Sequence, residues 1–203
     1  MYYVKAEPRK APSMEKEKLL LHSCCGPCST ACIERLIPDY DVTVFYYNPC
    51  INDAAEYEKR KANQKKFIEA VNEGGVYEDA DGCRVGFAEG AYEPEEYETL
   101  VKGLEDEPEG GARCAVCFRQ RLTGAAKYAK EHGFAKFTTT LTVSPHKNYR
   151  LISEIGRECA EAFGIEYLPY DFKKKDGFRR SVELSKECGL YRQDYCGCSF
   201  SKR

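Results

Sequence analysis

The sequence predicts an α/β protein built on a mostly parallel sheet with helices on both faces. Two observations carry this expectation. Short runs rich in leucine, β-branched and aromatic residues alternate along the chain with longer charged segments of helical character. Joining successive strands through helices imposes right-handed crossovers and hence parallel pairing. In addition, His22-Ser-Cys-Cys-Gly-Pro-Cys-Ser29 follows directly on the apolar run Leu19-Leu20-Leu21, and parallel sheets bind ligands beyond the carboxyl ends of their strands. A chain of 203 residues is long enough for one good core and short for two complete domains. Residues 1–17, polar and carrying Pro8 and Pro12, read as a flexible leader, and residues 18–203 as a single α/β catalytic domain of Rossmann-like or HUP-like kind.

Each element has a local reason. Lys18–His22 is the first strand, and Ser29 is read as the N-cap of a helix that Pro38-Asp39 ends at about Ile37. Asp41–Tyr47, rich in β-branched and aromatic residues, is the second strand, closed by Asn48-Pro49-Cys50. Asp53 caps a charged helix running to about Asn72, with Tyr57, Phe67, Ile68 and Val71 on its apolar side. After Gly74-Gly75, Val76–Asp79 reads as a third strand and Ala80–Gly90 as loop. Pro94 opens a helix over Glu95–Gly103, and acidic, glycine-rich Glu105–Gly111 reads as a flexible connection of the kind that flanks active sites. A helix from Cys114 to His132-Gly133 leads to a fourth strand, Phe134–Leu141. Helix Lys147–Phe163, a fifth strand Ile165–Phe172 and helix Phe178–Cys188 follow, the two helices stopped by Gly164 and Gly189. Tyr191–Arg203 has no strong periodicity. The turn after strand one, the Asn48-Pro49 loop and Leu141–Ser144 should converge at the carboxyl ends of the strands.

No uncharged apolar run reaches the ~20 residues that span a bilayer, and the first residues lack the apolar core of a secretory signal. The expected location is therefore cytoplasmic, with no membrane partner. In a reducing compartment, 12 cysteines argue for metal or redox work rather than a disulfide scaffold. Charge is divided unevenly. Residues 51–112 carry a net −10 and residues 113–203 a net +8, so a polyanion would meet the C-terminal half first.

The cysteines cluster in three groups. Cys24, Cys25 and Cys28 lie in a strand-to-helix turn, where amide groups and the helix N-terminus favour the thiolate, the form that reacts and binds metals. Cys114 and Cys117 stand one turn apart on a helix flanked by Arg113, Arg119 and Arg121, and both can reach one centre. Thiolates from two places in the chain suit tetrahedral zinc or an iron–sulfur cluster. A bridge within Cys196-Gly197-Cys198 would be strained and easily reduced, as a redox pair requires; the alternative is that both are metal ligands. Asp171, at the end of strand five, offers a hard oxygen ligand or a proton donor, or else caps a helix or pairs with Lys173–Lys175. His22 either tunes the thiols by hydrogen bonding or is a satisfied strand histidine. Cys32, Cys50, Cys83, Cys159 and Cys188 are isolated and read as packing or surface thiols. Lys173, Lys174, Lys175, Arg179, Arg180 and Arg192, interleaved with aromatic residues, have the chemistry to bind phosphates and stack on unpaired bases.

Taken together, His22-Ser-Cys-Cys-Gly-Pro-Cys28, Arg113-Cys-x-x-Cys-Phe-x-x-Arg121-Leu, Thr139-Thr-Leu-x-x-Ser-Pro145-x-Lys147, Tyr170-Asp-Phe-x-Lys174 and Tyr191-Arg-Gln-x-Tyr-Cys-Gly-Cys-x-x-Ser201 resemble the QueH family of epoxyqueuosine reductases. The likeness spans Lys18 to the end, with one departure, Cys50, where an asparagine is expected. It implies the last step of queuosine synthesis, in which the epoxide of a modified wobble base in tRNA becomes an alkene. By the resemblance, Cys24, Cys25, Cys114 and Cys117 would hold a [4Fe-4S] cluster, and Cys196 and Cys198 would form the redox-active pair. An additional iron is implied as well, with Cys28, Asp171 or the Cys196/Cys198 thiols as candidate ligands. The implied partners are tRNA carrying epoxyqueuosine and an electron donor. Two other readings compete: a thiol–disulfide oxidoreductase acting on proteins, and a non-catalytic RNA-binding protein stabilised by zinc.

Overall fold

The computed structural model describes residues 16–77 and 82–201. Five strands, β1 (Glu17–Ser23), β2 (Tyr40–Tyr46), β3 (Gly86–Glu89), β4 (Lys136–Thr139) and β5 (Glu166–Tyr167), form one sheet in the order β3-β2-β1-β4-β5. Every pairing is parallel. The helices are α1 (Gly26–Leu36), α2 (Ala54–Glu73), α3 (Pro94–Leu100), α4 (Ala112–Glu131), α5 (Tyr149–Phe163) and α6 (Gly177–Glu187). The expected α/β sheet is present.

Side-chain alternation along β1 divides the core. Leu19 and Leu21 face Ile33 and Leu36 of α1 and Phe67 and Ile68 of α2. Leu20 faces the opposite layer, against Leu122 and Ala125 of α4 and Ile152 and Ile155 of α5. All three leucines are fully buried, and each burial stabilises by about 2 kcal/mol. A central strand covered on both faces must be apolar at consecutive positions, and this one is.

The strand order reverses between β1 and β4, where the connections leave toward opposite sides and open a crevice. Register brings Ser23 level with Tyr46 and His22 level with Phe45 and Thr139. The loops after β1, β2 and β4 therefore leave the sheet together, as expected. Gly26, the first residue of α1, lies so close to α2 that a Cβ there would stand 2.8 Å from the Asn63 carbonyl oxygen.

Several elements differ from the sequence reading. The third strand is Gly86–Glu89, inside the stretch read as loop. Val76 and Tyr77 form no strand, and Tyr77 instead donates to the Thr30 carbonyl of α1 at 2.7 Å; Glu78 and Asp79 lie outside the described residues. β4 ends at Thr139, whose side chain accepts from Leu141 N at 3.1 Å and starts a short 3₁₀ turn, Thr140–Val143. β5 keeps only two residues, followed closely by Pro169, which has no N–H to offer a neighbour. The expected leader 1–17 lies outside the described residues except for Lys16 and Glu17, and Glu17 already belongs to β1.

Gly26→Ala is expected to lower the unfolding free energy by about 1–3 kcal/mol. The readout is a lower denaturant midpoint at unchanged slope; an unchanged midpoint would mean that α2 yields without cost.

Candidate metal centre and thiol cavity

β1 delivers Cys24 and Cys25 directly into the crevice. Cys25, not Ser29, occupies the N-cap position of α1, and no side-chain hydrogen bond caps this end of the helix. Pro27 suits the first turn because its missing N–H has no intrahelical partner there. Ser29 lies inside the helix, its hydroxyl donating to Gly26 O at 2.8 Å. The sulfurs of Cys24, Cys25 and Cys28 all lie within 4.8 Å of one another, so this group can hold a metal ion. Cys24 and Cys25 Sγ are 3.9 Å apart.

The three thiols differ in acidity. Hydrogen bonds from Cys25 and Cys28, with the positive charges of Lys147 and Arg121, outweigh burial and hold Cys24 well below the usual thiol range. The thiolate so formed pushes Cys25 up to about 11 and Cys28 well above its ordinary value, burial adding to both. One sulfur is thus ready to bind a cation first.

The supporting groups are buried and polar. Ser23 Oγ donates to Gln64 Oε1 at 2.7 Å, and Gln64 Nε2 donates to Ser29 Oγ at 2.9 Å. Asn48 Nδ2 donates to Ser23 O at 3.1 Å, tying the loop after β2 to the end of β1. Gln193 Nε2 reaches from the C-terminal segment to Cys25 Sγ at 2.9 Å. His22 is wholly buried; Nε2 donates to Tyr47 O at 3.0 Å and Nδ1 meets Thr139 Oγ1 at 2.8 Å. Burial, then the charge of Arg121, lowers its pKa to about 4. It is a satisfied neutral histidine that fixes the strand ends beside the thiols.

The other two cysteine groups meet in a neighbouring cavity. Cys114, Cys117, Cys196 and Cys198 line a cavity of about 30 Å³ together with Arg121 and Lys147. Cys114 Sγ accepts from Gly110 N at 3.2 Å. Arg113 is buried and donates to the carbonyls of Leu104, Glu105 and Glu107 at 3.1, 2.8 and 2.6 Å, which fastens the acidic connection before α4. Cys198 Sγ lies 3.3 Å from Tyr97 Oη, and Cys196 Sγ lies 3.0 Å from Ser201 Oγ. Both are free thiols. Gly197 between them has φ +110°, and a Cβ would meet Ile51 at 2.7 Å and Arg60 at 3.0 Å. Arg60 in turn donates to Cys196 O at 3.1 Å and Tyr195 O at 3.3 Å. Arg121 and Lys147 line this cavity and also favour the thiolate of Cys24, so the two thiol groups share these cations.

Cys24, Cys25 and Cys28 thus form one compact group, and Cys114 and Cys117 stand with Cys196 and Cys198 in the cavity beside it. Asp171 lies past β5 with Oδ1 buried and without a hydrogen-bond partner. Thr142 donates to Tyr170 O at 2.8 Å and accepts from Phe172 N at 3.4 Å, which holds Asp171 against the 3₁₀ turn. Thr140 of that turn lies 3.9 Å from Cys24. An all-thiol donor set suits zinc or an iron–sulfur cluster, and Cys24, Cys25 and Cys28 are the group among the described residues whose ligand atoms lie close enough to share an ion; Asp171 is not part of that group.

The basic residues divide. Arg180 forms a forked pair with Glu34, Nη2 to Oε1 at 2.7 Å, and Arg192 donates to Ser181 O and Ser185 Oγ of α6. Arg179 pairs with Asp176 and Glu183 yet remains 71% exposed. Lys173 donates to Lys147 O at 3.3 Å, and Lys174 and Lys175 are exposed. Cys50 is the residue that sequence reasoning missed. Far from being isolated, it is fully buried, hydrogen-bonded to Cys117 and to the Arg121 guanidinium, and lowered to about 6, first by Cys117 and then, against burial, by Arg121. Its place directly after Asn48-Pro49, at the end of β2, was the only signal.

The family model described as epoxyqueuosine reductase QueH matches residues 19–203. The chain belongs to the QueH family. It is 42% identical over 205 residues to epoxyqueuosine reductase QueH of Streptococcus pyogenes serotype M1, covering 99% of this chain and 78% of that one. Identity to the protein of that name from Staphylococcus epidermidis is 41% over 189 residues, covering 92% and 77%. For the Thermotoga maritima protein it is 37% over 186 residues, covering 90% and 89%.

An unfolded His22 binds a proton near pH 6.5, whereas the folded ring stays neutral to about pH 4, so acid favours unfolding across that window. Metal-free wild-type protein should lose about 3 kcal/mol more unfolding free energy between those limits than His22→Gln. Denaturant curves at the two pH values measure it, and equal losses would mean that the ring is protonated in the fold.

Proposed function

We propose that this member of the QueH family reduces the epoxide of epoxyqueuosine, at the wobble position of a tRNA anticodon, to the alkene of queuosine. The reading is carried by one observation: seven thiols from three distant stretches gather at the carboxyl-end crevice of the sheet, in a group that can hold a metal and a cavity beside it. The family membership supports the same reaction.

Removing an epoxide oxygen as water takes two electrons and two protons. Cys24, Cys25, Cys114 and Cys117 would hold a [4Fe-4S] cluster, with Cys28 and Asp171 beside an additional iron. When bound, these groups supply one-electron transfer and Lewis acidity toward oxygen. Cys196 and Cys198 are the chain's own reductant. Their two thiols become one disulfide, releasing two electrons and two protons, and an external donor restores them. Arg60, bonded to the carbonyls of Tyr195 and Cys196, orients the pair, and Gly197 permits its tight turn. Lys174, Lys175 and Arg179 have the exposure that phosphate binding needs. No helix among the described residues is long and apolar enough to cross a membrane, and a reducing cytoplasm keeps such thiols available.

Anaerobic purification followed by metal analysis and an absorption spectrum tests the assignment. A brown protein with about four or five irons and matching sulfide, active on epoxyqueuosine-containing tRNA, is the expected result. A colourless protein with one zinc and no sulfide after reconstitution would overturn it. The double variant Cys196→Ser, Cys198→Ser should keep its iron and lose turnover, and retained turnover would remove the pair from the reaction. For Lys174→Ala with Lys175→Ala, tRNA affinity should fall and the slope of log K against log salt should shrink by up to about 2. An unchanged slope would place the RNA elsewhere.

A further inference from the structure

Arg121 is among the most deeply buried charged groups of the protein, with 1% of its surface exposed. It stands one turn beyond Cys117 on α4 and lines the cavity of Cys114, Cys117, Cys196 and Cys198. Its Nη2 donates to Cys50 Sγ. Two further donors, Nε and Nη1, are buried and make no hydrogen bond within the protein. A buried cation whose donors lack acceptors is costly, and no carboxylate is among the groups lining this cavity next to it apart from Glu109. The lining also brings four sulfurs, a second cation, Lys147, and several uncharged polar groups. A guanidinium carries its donors in a fixed plane and stays charged when buried, so these two donors are best met by anionic acceptors in the cavity.

We propose that Arg121 is the buried countercharge of the thiolate-bound centre and sets its reduction potential, with Cys50 holding the guanidinium in place. The inference rests on the proposed iron–sulfur cluster of Cys24, Cys25, Cys114 and Cys117. Reduction of such a centre adds one electron, and hence one negative charge, in surroundings that screen poorly. A fixed positive charge beside it favours the reduced form and raises the potential. Arg121 is therefore a positioning and tuning residue, not a catalytic one, since its action on substrate passes through the centre.

The test compares anaerobically purified, iron-loaded wild-type protein with Arg121→Gln and Arg121→Lys, by iron and sulfide content and by redox titration followed by electron paramagnetic resonance. Arg121→Gln is expected to shift the one-electron equilibrium at least tenfold toward the oxidised form, a fall of about 60 mV or more, and Arg121→Lys to recover at least half of that shift. Loss of iron from Arg121→Gln with retention in Arg121→Lys would equally support a need for charge. A potential unchanged in Arg121→Gln, or iron lost from both variants alike, would overturn the inference and leave the cluster assignment standing. A wild-type protein without iron would overturn both.

Discussion

The constraint on which the rest of this structure depends is the confinement of many thiols to one poorly hydrated crevice. Sulfur binds metals as thiolate, and thiolates repel one another and resist burial. The protein answers with buried cations. Arg60 and Arg121 are each 1% exposed, and Lys147 lines the same cavity as Arg121. Arg60 is balanced by Glu56, one turn away at 2.6 Å, and Arg121 by Cys50. Such arrangements contribute little to net stability by themselves, because desolvation offsets attraction. Their value is to make an anionic centre tolerable where the sheet opens.

That requirement explains the polar stripe on α2. Glu56, Arg60 and Gln64 recur at every fourth position and are all buried. They face the C-terminal segment and the cysteine turn instead of solvent. Tyr191 N donates to Asn63 Oδ1 at 2.8 Å, Lys66 donates to Gly189 O at 2.9 Å, and Arg60 holds two carbonyls near the Cys-Gly-Cys turn. A segment without periodicity is thereby ordered by one helix face, and the last thiols are delivered to the first ones. The acidic connection before α4 is fixed in the same way, by three carbonyls on Arg113.

The uneven charge of the chain has a related resolution. Part of the basic surplus after residue 113 is buried, as with Arg113 and Arg121, and part is neutralised at the surface, as in the Arg180–Glu34 pair. What remains outward on the approach to α6 is smaller, chiefly Lys174, Lys175 and Arg179. Net charge by segment overstates the surface available to a polyanion, because it counts buried and exposed cations alike.

The sequence by itself determined the sheet class, the central strand, the helix sequence and the cysteine turn, since apolar runs, β-branched content and glycine or proline stops are local properties. It misplaced β3, because Gly86-Phe-Ala-Glu is a half-exposed edge strand with no alternating pattern, while Val76 resembles a strand and finds no partner. It placed the N-cap at Ser29, where local preference is strong, although the end of β1 puts Cys25 there. Only the tertiary structure decided that Cys50 stands against Cys117 and Arg121, that Arg180 is claimed by Glu34, and that Cys114 and Cys117 share a cavity with Cys196 and Cys198. These are contacts between residues 70 or more positions apart in most cases. They are set by which loops the parallel register brings level, and no local periodicity carries that information.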